Sequence, residues 1–315
     1  MKVAILGWYG HGNIGDEAML EGLQYLLNKY FGATSFIVMT NIATATVPQF
    51  NIDLANNTDL LVYGGGEIIN PNHMFVSRNR WTQWIHEPKI IMGCGVNANQ
   101  YNEFQEQVKM GLRDFEYIGL RDEIAYNILR EDPELQSKIV LTLDPSMILR
   151  EKYGLNWNST EKVGVIIPTD RTHRDFDRGI LTTNIVASTR SILKQKLLLD
   201  GIRQIKLVAF GKEDNDDAAT CRQLKDCLSE FDVSIYEPLT VKDALDLLCS
   251  CQKIYTYRLH GLVFAHMLGI PYSYFSYHHK VERAHATLRK FSPEMALNRI
   301  MRVWSDLKVR TDSWR

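Results

Sequence analysis

Short apolar runs alternate with amphipathic stretches from one end of this sequence to the other, and that alternation limits the possible folds more than any other feature. In the first half the runs are VAILG (3–7), SFIVMT (35–40), LLVYGG (60–65), KIIMGCG (89–95), YIGL (117–120) and IVLTL (139–143). Runs that are apolar at nearly every position belong to parallel sheets covered on both faces. Between the first two, Met19, Leu20, Leu23, Leu26 and Leu27 recur at the spacing of a helix face. Strand and helix in turn build βαβ units and hence a doubly wound sheet.

The pattern breaks once, at REKYGLNWNSTEK (150–162), which is polar, turn-rich and without apolar periodicity. It reads as a linker. Strands then resume with VGVIIPT (163–169), IKLVAF (205–210), VSIYEP (233–238), KIYTY (253–257) and PYSYFSY (271–277), separated by helical patterns over 180–199, 217–228 and 241–249. With 315 residues, each half is long enough to bury its own core. The expected fold class is therefore α/β, with two Rossmann-like doubly wound domains facing each other across a cleft. The N-terminal one spans 1–150 and the C-terminal one 160–290. An amphipathic helix over 293–315 closes the chain, with Ile300, Val303, Trp304 and Leu307 on one face. That face either packs back on the first domain or lies on a membrane.

A hydrophobic fraction of 45% and a charged fraction of 23% exclude disorder, fibre and disulfide scaffold. The N-terminal MKVAILGWYG ends in glycine without a small-residue cleavage site, so it reads as a strand and not as a secretion signal. LVFAHMLGIPYSYF is interrupted by His, Gly and Pro, and no apolar stretch reaches the ~20 residues of a membrane span. The five cysteines are odd in number and lack C-x-x-C pairing, which favours reduced thiols and no metal site. These points place the chain in the cytoplasm. From Lys280 onward nine basic residues face four acidic ones, which suits a solvated helix face, an anionic ligand or the inner face of a membrane. No aromatic-and-basic pattern accompanies them, so nucleic acid is not expected.

Three glycine clusters follow strands. Gly10, Gly12 and Gly15 have the G-x-G-x-x-G spacing of a dinucleotide turn. Against that reading, Thr40-Asn41 stands where a ribose-binding acid is expected, and Asp16 and Glu17 occupy the helix start where a pyrophosphate would sit. Asp16 is either a helix cap or a catalytic group. Gly64, Gly65 and Gly66, and then Gly93 and Gly95, leave two further strand ends bare, so the three together suggest a binding floor. Late in the chain, Arg258-Leu259-His260-Gly261 stands at a strand-to-helix turn, the geometry of an anion site.

In order, Gly12-Asn13-Ile14-Gly15-Asp16-Glu17-Ala18, Gly64-Gly65-Gly66, Gly119-Leu120-Arg121-Asp122, Asp144-Pro145-Ser146 and Arg258-Leu259-His260-Gly261 through Gly269-Ile270-Pro271 form a series that resembles the polysaccharide pyruvyl transferase family. The resemblance implies a GT-B-like pair of domains, phosphoenolpyruvate as donor substrate, no cofactor, and a carbohydrate acceptor, free or lipid-linked, destined for a cell-surface polymer. It also implies that Arg258 and His260 belong to the donor site, with Asn13, Asp16 and the glycines Gly12, Gly15, Gly64, Gly65 and Gly66 as the opposing wall.

Phosphoenolpyruvate carries a carboxylate and a phosphate, so fixed cations are needed, with Arg preferred for its bidentate geometry. Arg258 is the first choice, Arg171 and Lys280 the next. Ketal formation also needs an acid to protonate the enol carbon and a base to take the acceptor's proton; His260 and Asp16 are the candidates. Trp8, Tyr9, His73, Trp81 and Trp84 are candidates for stacking on sugar rings, against burial in the core. The rival readings are a GT-B-type glycosyltransferase using a nucleotide sugar, and a catalytically silent sugar-binding protein.

Overall fold

The computed structural model describes residues 1–69, 81–96, 105–159, 161–169, 185–211, 217–276 and 279–311. Two compact units emerge: one of Met1–Gly10, Asp16–Leu149 and Lys290–Arg315, the other of His11–Gly15 and Arg150–Arg289.

In chain order the first unit contains β1 (Lys2–Gly7), most of α1 (Ile14–Phe31), β2 (Ser35–Thr40), α2 (Ile52–Asn56), β3 (Leu60–Gly64), β4 (Lys89–Cys94), α3 (Gln105–Leu112), β5 (Tyr117–Leu120), α4 (Glu123–Arg130) and β6 (Ile139–Leu141). All its strand pairs are parallel, in the order β2-β1-β3-β4-β5-β6. Winding leaves β1 in one direction for β2 and returns in the other for β3, so the topological switch point lies between β1 and β3. β3 and β4 are buried at every position, as their unbroken apolar runs require.

The second unit contains α5 (Leu149–Tyr153), β7 (Val163–Ile167), α6 (Ile185–Leu199), β8 (Gln204–Val208), α7 (Asp217–Cys227), β9 (Asp232–Tyr236), α8 (Val241–Cys249), β10 (Lys253–Thr256), α9 (Leu259–Leu268), β11 (Tyr272–Tyr274) and α10 (His279–Leu288), with Leu149 itself counted in the first unit. Its parallel sheet runs β11-β10-β7-β8-β9, with the switch point between β7 and β10. Ligands of doubly wound sheets sit at the carboxyl ends of the strands beside such a point.

The polar 150–162 stretch is not a slack tether. Trp157 Nε1 donates to Cys251 O at 2.7 Å and the Ser159 hydroxyl to Ser250 O at 3.1 Å, which binds it to the second unit. The final helix, α11 (Pro293–Thr311), belongs to the first unit, where Ile300, Trp304 and Leu307 are buried and Trp304 meets the Phe31 ring edge-on at 6.1 Å. Its apolar face is therefore committed to protein and not available to a membrane. Several cations of the segment from Lys290 onward are committed as well. Lys290 pairs with Glu123, Arg299 donates to Leu141 O at 3.0 Å, and Arg310 lies over the Tyr117 ring. Among the described residues no helix is long and apolar enough to cross a membrane.

Candidate active site

At Gly64 and Gly65 the expected bare floor is taken up by protein side chains. Tyr9, fully buried, occupies the switch point: its hydroxyl donates to Gly64 O at 2.6 Å, and a Cβ on Gly65 would lie 2.8 Å from that same hydroxyl. A Cβ on Gly64 would press to 2.6 Å from Leu23 Cδ1. These glycines make room for protein. Among the described residues, a Cβ on Gly66, half-buried with φ of 80°, would meet Ile68 at an ordinary contact distance of 3.5 Å. Burial above all, then the charges of Cys94, Asp16, Glu17 and Asp144, raises the Tyr9 pKa well above the usual phenol value. A buried, engaged phenol cannot stack on a sugar. Trp81 is likewise core, packed against Phe50 at 4.8 Å and Tyr63 at 6.2 Å, whereas Trp84 is 60% exposed.

Two of the middle motifs also have local structural explanations. Asp122 caps α4 by accepting from Ala125 N at 2.9 Å. Asp144 accepts from both Ser146 N at 3.0 Å and Ser146 Oγ at 2.6 Å, forming a corner whose Pro145 ring occupies the space a side chain at Gly93 would need.

The second unit assembles its residues differently. β10 ends at Thr256, beside the switch point, and the chain turns directly into α9 with Arg258 at its N-cap. The Thr256 hydroxyl accepts from Arg258 N at 3.0 Å and donates to Arg258 O at 2.8 Å, fixing the turn. Gly261 must be glycine here, because a Cβ would overlap that hydroxyl. α9 is apolar all round and almost wholly buried, with Gly269 as its left-handed C-cap at φ 73°. Burial along its length makes it a rigid platform, and its first turn carries the positive end of the helix dipole.

Arg258 is 6% exposed and donates through Nη2 to Asp217 Oδ1 at 2.5 Å, so the cation expected to be open to an anion is held by a fully buried carboxylate. Asp217 also accepts from Phe210 N at 3.2 Å and Gly211 N at 2.8 Å. His260, 8% exposed, lies in the first turn of α9 with its ring 5.9 Å from Phe264, which in turn lies 5.8 Å from Phe210.

His11–Gly15 belongs to this same unit. Ile14 N donates to Phe210 O at 2.9 Å, and Gly15 presents its bare Cα to His260, where a Cβ would overlap the imidazole. Asn13 Oδ1 accepts from Gly15 N at 3.1 Å, so Asn13 caps α1 in place of Asp16. Gly12, with φ of 68°, provides the left-handed turn before it. Asp16 lies in the first turn of α1, 9% exposed, and belongs to the first unit. Lys280 is half-buried on α10. Arg171 and His73 lie outside the described residues.

Asp217, Phe210 and Thr256 escaped the sequence reading. Asp217 stands in the acid-rich EDNDDA run, where nothing distinguishes it from its neighbours. Among the described residues no group of three or more His, Cys, Asp or Glu side chains is placed to hold a metal.

Two parallel α/β sheets, with an Arg, a His and a helix start at the carboxyl edge of one, place the chain in the GT-B-like structural class. A model of the polysaccharide pyruvyl transferase family matches residues 13–279, and the chain belongs to that family. No curated protein matches it. Among solved structures it is similar to a UDP-GlcNAc 2-epimerase from Neisseria meningitidis bound to UDP-GlcNAc, at TM-score 0.58 and 14% identity over 100% of both chains. It is similar also to S. aureus MnaA with UDP, at TM-score 0.56 and 12% identity over 96% of this chain and 91% of that one. A third is Anabaena HepE in complex with UDP-glucose, at TM-score 0.55 and 13% identity over 100% of both. At such identities the likeness concerns the fold alone.

Proposed function

We propose that this enzyme transfers the pyruvyl group of phosphoenolpyruvate to a sugar of a cell-surface polysaccharide or its precursor, forming a pyruvate ketal and releasing phosphate. The observation that carries the reading is the placement of Arg258 and His260 at the switch-point end of β10, on the first turn of a buried helix. Backbone N–H groups and a guanidinium held in one plane are suited to a carboxylate or phosphate.

In this mechanism His260 protonates the methylene carbon of the donor, and the neighbouring carbon becomes the electrophile. A sugar hydroxyl attacks that carbon and loses its proton to Asp16. The bond to phosphate breaks, a second hydroxyl of the same sugar attacks, and a second proton leaves. One proton is taken up, two are given up, and phosphate carries one away, so the step balances without a redox partner. A positioned acid of this kind contributes ~100- to 10,000-fold. Arg258 orients the donor, with Arg171 and Lys280 as further cations and the turn through Gly12, Asn13 and Gly15 beside His260.

The test is phosphate release from phosphoenolpyruvate across a panel of sugar acceptors, with donor binding read by calorimetry in the same samples. Acceptor-dependent release that disappears in folded His260→Ala and Arg258→Ala supports the reading. Binding of a UDP-sugar, with no binding of phosphoenolpyruvate, replaces it with a glycosyltransferase.

A further inference from the structure

We infer that Asp217 is a positioning residue for the donor site, setting the plane of the Arg258 guanidinium and the seat of the His260 ring; the identity of the donor anion rests on the pyruvyl-transfer reading. Three connections converge on this one carboxylate. Oδ1 accepts from Arg258 Nη2 at 2.5 Å, and Oδ2 accepts from the backbone N–H groups of Phe210 and Gly211 at 3.2 and 2.8 Å. Phe210 passes the constraint on through its carbonyl, which accepts from Ile14 N at 2.9 Å, and through its ring, which rests on Phe264 beside His260. Asp217 is wholly buried and opens α7, the helix that follows β8, one strand from β7. It thereby ties the turn after β8 to the turn after β10 and to the start of α1.

The sign of the effect separates positioning from simple charge. An ion pair lowers the net positive charge offered to an anion, so if Asp217 acted only as a counterion, its removal would tighten donor binding. If it holds Arg258 in register, its removal weakens binding, because the freed guanidinium loses the fixed fork geometry that matches an anion. Structure elsewhere in the unit is separable from both. A fold-wide role would lower thermal stability and active fraction without moving the donor KM of the protein that remains.

The experiment measures kcat and the donor KM separately for native protein, Asp217→Asn and Asp217→Glu, with melting temperature and inorganic phosphate binding by calorimetry. Positioning predicts a rise in donor KM and in the phosphate Kd of about tenfold or more in Asp217→Asn, and a smaller rise in Asp217→Glu, which keeps the charge but moves it by a methylene. An unchanged or lowered donor KM in folded Asp217→Asn overturns the inference. Should Asp217→Asn not fold, a native donor KM in Asp217→Glu overturns it equally. Failure of the pyruvyl reading shows itself elsewhere, as no phosphate release by the native chain with any acceptor. Phosphate binding by the variants then still decides the role of Asp217.

Discussion

The Cα of Gly15 lies so close to His260 that no side chain fits between them. A methyl group there would come within 2.8 Å of His260 Cβ and overlap Nδ1 and Cγ of the ring. This contact joins the first motif of the family series to the last, within a single unit. Gly15→Ala is therefore expected to turn the imidazole out of place. Overpacking of this kind costs about 1–3 kcal/mol of stability, while loss of a positioned acid lowers kcat by ~100-fold or more. Melting curves and initial rates measured side by side check both. A folded Gly15→Ala with native kcat removes His260 from the mechanism.

At the first unit's switch point the phenol of Tyr9 is donor to Gly64 O. Tyr9→Phe leaves that buried carbonyl without the bond and is expected to cost about 1–3 kcal/mol, read as a lower urea midpoint. Because the ring is fully buried, acceptor KM is expected to stay at the native value. A large rise in acceptor KM without loss of stability would assign Tyr9 to the sugar after all.

Trp304 anchors α11, with 1% of its surface exposed and its ring against Phe31. Trp304→Ala is expected to destabilise the protein by about 3–5 kcal/mol. The same change would be nearly silent if the helix were a membrane-surface element, so a vesicle co-sedimentation assay paired with the melting curve distinguishes the two.

Burial pushes the thiols of Cys94, Cys221 and Cys251 up to about 12. At pH 8 they are overwhelmingly protonated, and thiolate is the reactive form. Iodoacetamide followed by peptide mapping is expected to label the half-exposed Cys227 and Cys249 before the three buried thiols. Early labelling of Cys94, which is 0% exposed, would contradict its burial at the end of the interior strand β4.

Strand and helix were legible in the sequence because unbroken apolar runs such as KIIMGC have one stable use, a strand covered on both faces. The switch-point residues Arg258 and His260 were legible for a related reason, as polar groups directly after such a run. What misled was glycine. A glycine after a strand says that something approaches closely, and the sequence does not say whether that is a ligand or, as at Gly64 and Gly65, the ring of Tyr9. Asp16 had two readings in the sequence, a helix cap or a catalytic group, and the capping bond from Gly15 N goes instead to Asn13, which the sequence placed only in the ligand wall. Asp217 was invisible because its partner Arg258 lies 41 residues further along the chain.

In the proposed function, His260 delivers a proton to the methylene carbon of phosphoenolpyruvate. The most direct measurement is a single turnover in deuterated water with a competent sugar acceptor, analysing the ketal methyl by NMR for native protein and His260→Gln. One deuterium per methyl is expected in the native product, and a rate lowered by ~100-fold or more in His260→Gln with donor affinity retained. A His260→Gln enzyme that forms the ketal at the native rate would contradict it.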